Sequence, residues 1–204
     1  MITTVIDVGA NEGQFGLFLR RRLHYRGKII SIEPLPDAFA KLESQIRDDP
    51  SWSAMNLALG AAEATLSFNV AANSQSSSFL PMTHQLLESA PEIRYNSSID
   101  VRVRRLDSVE DIRNAANDRS LLKIDSQGFE HEILVGAGDA LNRISLLYLE
   151  LSLVPLYEGE WLIEEMISFL RGKNFVPISI HQGYCNPQSG EQLQADVLFC
   201  KNVI

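Results

Sequence analysis

Short apolar runs alternate along the chain with segments that repeat apolar residues every three or four positions, and this pattern predicts alternating strands and helices. The predicted strands cover residues 5–8, 28–33, 54–59, 121–125, 146–151, 175–180 and 196–200. The predicted helices cover residues 14–23, 36–46, 129–136 and 160–171, with a shorter one that ends at Ala116. Such an alternation indicates an α/β fold, a doubly wound parallel sheet with helices on both faces and an antiparallel pair of final strands at one edge.

Three stretches depart from this alternation. Residues 64–70 alternate apolar and polar positions, which predicts an antiparallel excursion, and residues 99–106 predict a further strand with one exposed face. Residues 71–98 are largely small and polar, so we expect an irregular insertion that is either a lid over a ligand or a mobile surface loop. Because no linker or internal repeat is visible, we expect residues 1–204 to form one domain.

The predicted sheet also predicts where a ligand would bind. Doubly wound sheets bind ligands outside the carboxyl ends of their strands. In this chain those ends carry residues 7–13, 33–34, 58–60, 125–130, Glu150 and His181.

The first of these strand ends is a glycine-rich turn with acidic residues nearby. Its glycines are Gly9, Gly13 and Gly16, a G-x-x-x-G-x-x-G spacing that differs from the G-x-G-x-x-G fingerprint of dinucleotide sites. Glu33, at the end of the second strand, can hold ribose hydroxyls in either kind of site. Asp7 before the first glycine is more typical of S-adenosylmethionine sites, where it can accept backbone N–H bonds from the turn and attract the amino group of the ligand.

Composition narrows the classes of partner. The formal net charge is −8, so a nucleic-acid backbone is not expected as the main partner. No apolar run approaches the roughly 20 residues of a membrane span, and Met1 leads almost directly into the first strand, so we expect a cytoplasmic protein without a signal peptide. Cys185 and Cys200 lack the spacing of metal ligands, and no metal is expected.

Three of these segments carry a family resemblance. Asp-Val-Gly-Ala-Asn-Glu-Gly at residues 7–13, Glu-Pro at 33–34, and Leu-Lys-Ile-Asp-Ser-Gln-Gly-Phe-Glu at 122–130 resemble the successive signatures of FkbM-type methyltransferases. The similarity covers about residues 3–155. It implies a class I S-adenosylmethionine-dependent methyltransferase (Rossmann-like) fold, with seven strands of which the last is reversed. It also implies methylation of a hydroxyl on a sugar or another small natural product.

The resemblance assigns roles by position. The residues it implies for cofactor binding are Asp7, Gly9, Ala10, Asn11 and Gly13 around the methionine part, Glu33 and Pro34 at the ribose, Ala58 and Leu59 beside the adenine, Ser77 and Ser78 closing the pocket, and Asp125 and Gln127 where cofactor and acceptor meet.

One departure from the family pattern concerns the acceptor side. Many class I enzymes carry a helical segment before the first strand, whereas here only residues 1–3 precede it. The acceptor side is therefore expected to be more open than usual or to be completed by another subunit of a homo-oligomer.

A hydroxyl acceptor must lose a proton, so a carboxylate or histidine is expected to act as a base. Asp125 is the first candidate, followed by Glu130 and Glu150, with His181 in reserve. Lys123 precedes Asp125 by two residues and so lies on the same strand face, where pairing would keep Asp125 ionised.

Two other functions stay open at this point. A nicotinamide-dependent oxidoreductase would use a similar sheet but is disfavoured by the glycine spacing. A cofactor-binding module that has lost catalysis and serves as a regulatory subunit would keep the same motifs.

Overall fold

The computed structural model describes residues 1–202 and contains two sheets and six α-helices within that range. The strands are β1 (Thr4–Val8), β2 (Lys28–Ile32), β3 (Trp52–Met55), β4 (Ala58–Leu59), β5 (Ala64–Ala71), β6 (Tyr95–Arg104), β7 (Ser120–Ile124), β8 (Leu146–Ser152), β9 (Phe175–Gln182) and β10 (Gln194–Lys201). The helices are α1 (Gln14–Arg22), α2 (Pro36–Ile46), α3 (His84–Ser89), α4 (Glu110–Ala115), α5 (Glu130–Ala137) and α6 (Ile163–Gly172).

The main sheet has seven strands in the order β3-β2-β1-β7-β8-β10-β9. The pairs from β3 to β8 are parallel, whereas β10 runs antiparallel to both β8 and β9. The predicted fold class is therefore confirmed, including the reversed last strand. The expected antiparallel pair of final strands lies at one edge of the sheet, with β9 outermost and β10 between β8 and β9.

The predicted strand over 54–59 is wrong in one respect, because it divides into two strands of different sheets. β3 ends at Met55 in the main sheet, and β4 pairs with β6 in the second sheet. Between them, the side-chain amide of Asn56 donates to the carbonyls of Glu33 and Pro34 at 2.9 and 3.0 Å. This side chain ties the chain to the end of β2 and separates the two strands.

The second sheet has three strands in the order β4-β6-β5, with β5 and β6 antiparallel. Its last strand in the chain starts four residues earlier than expected, at Tyr95. The stretch 71–98 holds a 3-10 helix at Ser74–Ser76 and helix α3, and the sequence also predicts a short helical segment at residues 83–89. Thr83 caps α3 by accepting a bond from the Leu86 N–H.

Successive side chains of a strand point to opposite sides of the sheet, so each central strand contributes to two apolar cores, one on either side. On β1, Ile6 and Val8 join the larger apolar core, while Val5 joins a smaller one below α1 and α2. Trp52 fills that smaller core against α1, where a Cβ on Gly16 would lie 2.1 Å from its ring. The third glycine of the sequence pattern therefore allows close helix packing.

Candidate active site

A cavity of about 350 Å³ opens at the carboxyl ends of β1, β2, β7 and β8. Its volume falls within the roughly 300–1,000 Å³ of small-molecule sites. The residues predicted from sequence that line it are Gly9, Ala10, Asn11, Glu33, Pro34, Ser77, Asp125, Gln127 and Glu150. The topology therefore brings three separate sequence motifs to one concave surface.

The turn after β1 has no space for a side chain at its first glycine. Gly9 has φ +71°, and a Cβ there would lie 1.8 Å from the carbonyl oxygen of Asp125 on the neighbouring β7. Asn11 also lies in the left-handed region, at φ +48°. Its side-chain amide donates to Ser74 Oγ at 2.9 Å, which joins the turn to the 3-10 helix. The turn thus presents bare backbone to the cavity.

Glu33 holds this turn from the next strand. Its Oε2 accepts the N–H of Asn11 at 2.7 Å, and its Oε1 accepts the N–H of Leu35 at 2.9 Å. Burial raises the pKa of Glu33 to about 7. A carboxylate has about four acceptor sites, so these two bonds leave capacity for ligand hydroxyls.

Asp7 has a different position from the one its motif predicts. It is fully buried, lies outside the cavity lining, and receives none of the predicted backbone N–H bonds within residues 1–202. Its partner is Lys123, whose Nζ lies 3.4 Å from Asp7 Oδ1 because the two residues are register partners in β1 and β7. Burial raises the pKa of Asp7, although the ammonium charge opposes this shift.

Lys123 connects this buried acid to the cavity. Its Nζ also lies 3.3 Å from Asp125 Oδ2 and donates to the carbonyl of Gly9 at 3.2 Å. Burial alone would lower the pKa of Lys123, but the carboxylates of Asp125 and Asp7 raise it above its usual value. The lysine therefore remains a cation, and the predicted pairing with Asp125 is present in the structure.

A second group of polar side chains lies at the β8 and β10 side of the cavity. The amide nitrogen of Gln127 donates to Asp125 Oδ1 at 2.9 Å and to Glu150 Oε2 at 2.7 Å, while Gln194 donates to the same Glu150 oxygen at 3.1 Å. Burial raises the pKa of Glu150 well above its usual value, and neighbouring carboxylates, first Asp125, add to this shift. Glu150 is thus a carboxylate that takes up a proton unusually easily.

Six residues that line the cavity are not predicted as site residues by the sequence patterns. They are Gln14, Phe15, Ser74, Gln75, Tyr148 and Asp196. Phe15 stacks on Tyr148 with ring centroids 5.9 Å apart, although its helical spacing suggested only core packing. Asp196 is the register partner of Glu150 across the antiparallel β8–β10 pair, and half burial raises its pKa. Only that register could have identified it.

The two predicted serines of the insertion, Ser77 and Ser78, differ in whether they line the cavity. Ser77 lines the cavity and its Oγ accepts the N–H of Ala71 at 3.0 Å. Ser78 is fully buried outside the lining, and its Oγ donates to the backbone carbonyl of Gln127 at 2.7 Å. The insertion is therefore bonded to both the first turn and the loop after β7.

A smaller apolar cavity of about 40 Å³ shares Gly9 and Pro34 with the main one. Ala58 and Leu59 line it, together with the aromatic rings of Phe79 and Phe129, whose centroids are 4.8 Å apart. The lining is apolar, and the two aromatic rings form part of its wall.

Three further predicted residues lie outside both cavities. Gly13 has φ +91° and precedes α1, where a Cβ would lie 2.9 Å from Leu42. Glu130 is buried, and its Oε1 accepts the N–H groups of Ser126 and Gly128 at 2.8 and 3.3 Å. His181 is exposed and bonds to Ser179. The Glu130 carboxylate therefore closes the turn before α5, and its catalytic role stays a prediction.

Two further observations concern residues 1–202 only. No group of three or more His, Cys, Asp or Glu side chains in this range could hold a metal ion. No helix in this range has both the length and the apolar character needed to cross a bilayer.

Several solved structures share the architecture of this chain. The chain superposes on fibrillarin from Aeropyrum pernix, solved with natively bound S-adenosyl-L-methionine, with a TM-score of 0.55 and 11% identity over 97% of this chain and 66% of that one. TehB from Haemophilus influenzae gives a TM-score of 0.51 with 10% identity, over 98% and 58% of the two chains. Such identities establish the fold alone, which is that of class I S-adenosylmethionine-dependent methyltransferases.

The family follows from a sequence match. The family model for the methyltransferase FkbM domain matches residues 7–177, and the chain belongs to this family. Methyltransferase FkbM from Methylobacillus flagellatus KT superposes with a TM-score of 0.60 and 12% identity, over 96% of this chain. The chain spans 43% of the length of that protein. Curated protein sequences give no match.

The cofactor of this class is S-adenosylmethionine, and the residues of the cavity fit it. Gly9 lines the cavity with backbone atoms alone, because it carries no side chain. Glu33 offers a buried carboxylate beside it, and the smaller apolar cavity adjoins both. These features suit an amino acid, a ribose and a base in that order along the sheet edge.

Proposed function

We propose that the chain transfers the methyl group of S-adenosylmethionine to a hydroxyl of a sugar or another small natural product. The observation that supports this best is the position of Glu150, a carboxylate with a raised pKa that lines the same cavity as the glycine turn and Glu33. A carboxylate with a raised pKa is a stronger base than an ordinary one, which suits removal of a hydroxyl proton.

The proposed cofactor site uses the residues next to the first turn. Gly9, Ala10 and Asn11 would hold the methionine part, and Glu33 would accept hydrogen bonds from the ribose hydroxyls. Ala58 and Leu59, which line the adjoining apolar cavity, would border the adenine. When bound, S-adenosylmethionine supplies an electrophilic methyl group on a sulfonium.

Glu150 is our proposed general base. The amides of Gln127 and Gln194 hold it through Oε2, which leaves Oε1 to accept a proton from the acceptor hydroxyl. Asp125, the first candidate from sequence, has Oδ2 beside Lys123 and Oδ1 on Gln127, so we assign it to holding the acceptor or the cofactor amine. Alignment of the acceptor and exclusion of water would supply much of the rate.

We also propose that the chain is one methyltransferase domain and that residues 71–98 cover its cavity. Support comes from Ser74, Gln75 and Ser77, which line the cavity from this segment, and from the bond between Ser74 and Asn11. Completion of the acceptor side by a second copy of the chain stays a prediction for sedimentation analysis.

Calorimetry and turnover test the proposal in two steps. We expect binding of S-adenosylmethionine and of its demethylated product but not of NAD; failure to bind either sulfur compound would refute the function. A panel of neutral hydroxylated acceptors should then release the demethylated product. Glu150→Gln should reduce turnover roughly 100-fold or more with cofactor affinity retained, because general-base contributions are of that size. Glu158→Gln, an exposed change in the loop after β8, is the matched control.

Tight cofactor binding without turnover on a broad panel would instead favour a non-catalytic module. Equal activity of Glu150→Gln and wild type would refute the assignment of the base while leaving the methyltransferase function intact.

A further inference from the structure

Gln127 is the junction of the polar side chains at the acceptor end of the cavity. Its backbone lies in the left-handed region at φ +56°, and its carbonyl accepts the hydroxyl of Ser78 at 2.7 Å. Its single NH₂ group carries two hydrogens, and these are shared between Asp125 and Glu150. The amide therefore holds two carboxylates at once.

The other end of this amide contacts a residue outside the cavity. Tyr157 is 1% exposed in the loop between β8 and α6, and its hydroxyl donates to Gln127 Oε1 at 2.7 Å. The carbonyl of Ser76 is the other acceptor nearby, but at 3.4 Å it competes weakly for the one hydroxyl hydrogen. Burial raises the pKa of Tyr157 above its usual value, so the hydroxyl keeps its proton and acts as a donor.

We propose that Tyr157 is a positioning residue whose hydroxyl fixes the amide of Gln127, so that both amide hydrogens point at carboxylates. A reversed amide would place its oxygen against the two carboxylates of Asp125 and Glu150, which is unfavourable because none of these oxygens carries a hydrogen when the acids are ionised. Without the hydroxyl, the buried Oε1 loses its donor, and the amide gains freedom to turn from the carboxylates. The catalytic meaning of this role rests on the function proposed above.

The consequence can be measured at Glu150. Burial and the charges of Asp125 on β7, Glu130 on α5 and Asp196 on β10 all raise its pKa, whereas the Gln127 amide lowers it by stabilising the anion. The other groups that face Glu150 are Lys123 on β7, Tyr148 on β8, Tyr157 itself and the Gln194 amide on β10. Tyr157→Phe leaves all of these carboxyl, amine and amide groups in place, so a further rise in the pKa of Glu150 would report weaker donation by Gln127.

The experiment is a ¹³C NMR titration of glutamate carboxyls in the cofactor-free chain, with the Glu150 signal assigned by its loss in Glu150→Gln. We expect Tyr157→Phe to raise the pKa of Glu150 by about 0.5–1 unit and Gln127→Met to raise it further. Tyr184→Phe is the matched control. Tyr184 packs against the same apolar cluster as Tyr157, but its hydroxyl bonds to Ser89, so removing this hydroxyl should leave the titration of Glu150 unchanged. If Glu150 has the same pKa in Tyr157→Phe as in the wild type, the proposal is refuted.

Wild-type protein gives a second readout that does not depend on the folding of the variant. The buried hydroxyl proton of Tyr157 should exchange slowly with water. Its chemical shift should change with pH over the range in which the Glu150 carboxyl titrates. A chemical shift that stays constant over that range would contradict the proposal.

Turnover separates this role from a purely structural one. With an active acceptor, Tyr157→Phe should lose activity at neutral pH, recover it at alkaline pH, and keep wild-type cofactor affinity in calorimetry. A loss that is equal at every pH would overturn the positioning role. Failure of S-adenosylmethionine to bind wild type would refute the proposed function instead, and it would do so without affecting the titration.

Discussion

The two ends of the cavity are built in different ways. At the first turn, Gly9 to Asn11 and Glu33 come from adjacent strands, and the bonds that hold them are donated by backbone N–H groups. At the other end, Glu150 lies on β8, Asp196 lies on β10 and Asp125 directly follows β7, and side-chain amides hold Asp125 and Glu150. The first end depends on close backbone packing, whereas the second depends on charge placement, so substitutions should separate the two.

Lys123→Met should have the largest effect, because Lys123 joins the two ends. It would leave the buried Asp7 without its cationic partner, and breaking a buried ion pair costs about 3–5 kcal/mol of unfolding free energy. Chemical denaturation measures this loss. Lys41→Met removes a lysine from the exposed pair with Glu12 and should change the midpoint little. Equal midpoints for the two variants would contradict a buried pair.

Gly9→Ala tests the packing of the first end. Its Cβ would collide with the Asp125 carbonyl, so overpacking and the positive φ together should cost about 2–4 kcal/mol of unfolding free energy. Gly159 has φ +79° and open space within 4 Å of where a Cβ would lie, so Gly159→Ala should show the smaller cost of φ alone. Similar denaturation curves for both variants would show that β1 and β7 tolerate a side chain between them.

The pH dependence of stability should distinguish buried acids from exposed ones. Burial raises the pKa of Glu130 from 4.5 to about 7, so the folded state holds more protons than the unfolded state between these values. Stability from this group is complete below about pH 4.5 and is lost as the pH rises through 7, on the order of 2–3 kcal/mol. Glu130→Gln should flatten the slope in denaturation series at pH 5 and 7.5. The exposed Glu164→Gln, also in a first helical turn, should preserve it.

Glu33→Ala should weaken cofactor binding by about 1–3 kcal/mol, because it removes hydrogen bonds both to the turn and to the proposed ribose position. Calorimetry with S-adenosylmethionine measures the change. Unchanged affinity would refute the role of Glu33 and shift attention to the other end of the cavity.

The first end could be predicted from sequence because its parts are local. A β-branched strand, Gly9 and an acid closing the next strand are visible in the order of residues, and the parallel alternation places them together. The second end needed information that local patterns lack. Asp196 depends on the register of β10 against β8, and Tyr157 lies in a loop with no periodicity.

Glu130 and Asn56 share a physical role that local sequence patterns do not show, because both side chains bond to the backbone. Glu130 accepts N–H groups from its own turn, which helical charge preference alone could not distinguish from a catalytic position. Asn56 ends β3 by bonding to the carbonyls of Glu33 and Pro34, although the apolar run around it predicted one strand.

The placement of β10 between β8 and β9 has a consequence for biosynthesis. β9 is synthesised before β10. Within residues 1–202, however, β9 pairs with the main sheet through β10, so it stays unpaired until β10 has been synthesised. The glycine turn and Glu33 can assemble on the nascent chain well before this event. The cofactor end is therefore expected to mature early in synthesis, whereas the acceptor end becomes complete only when β10 inserts and delivers Asp196.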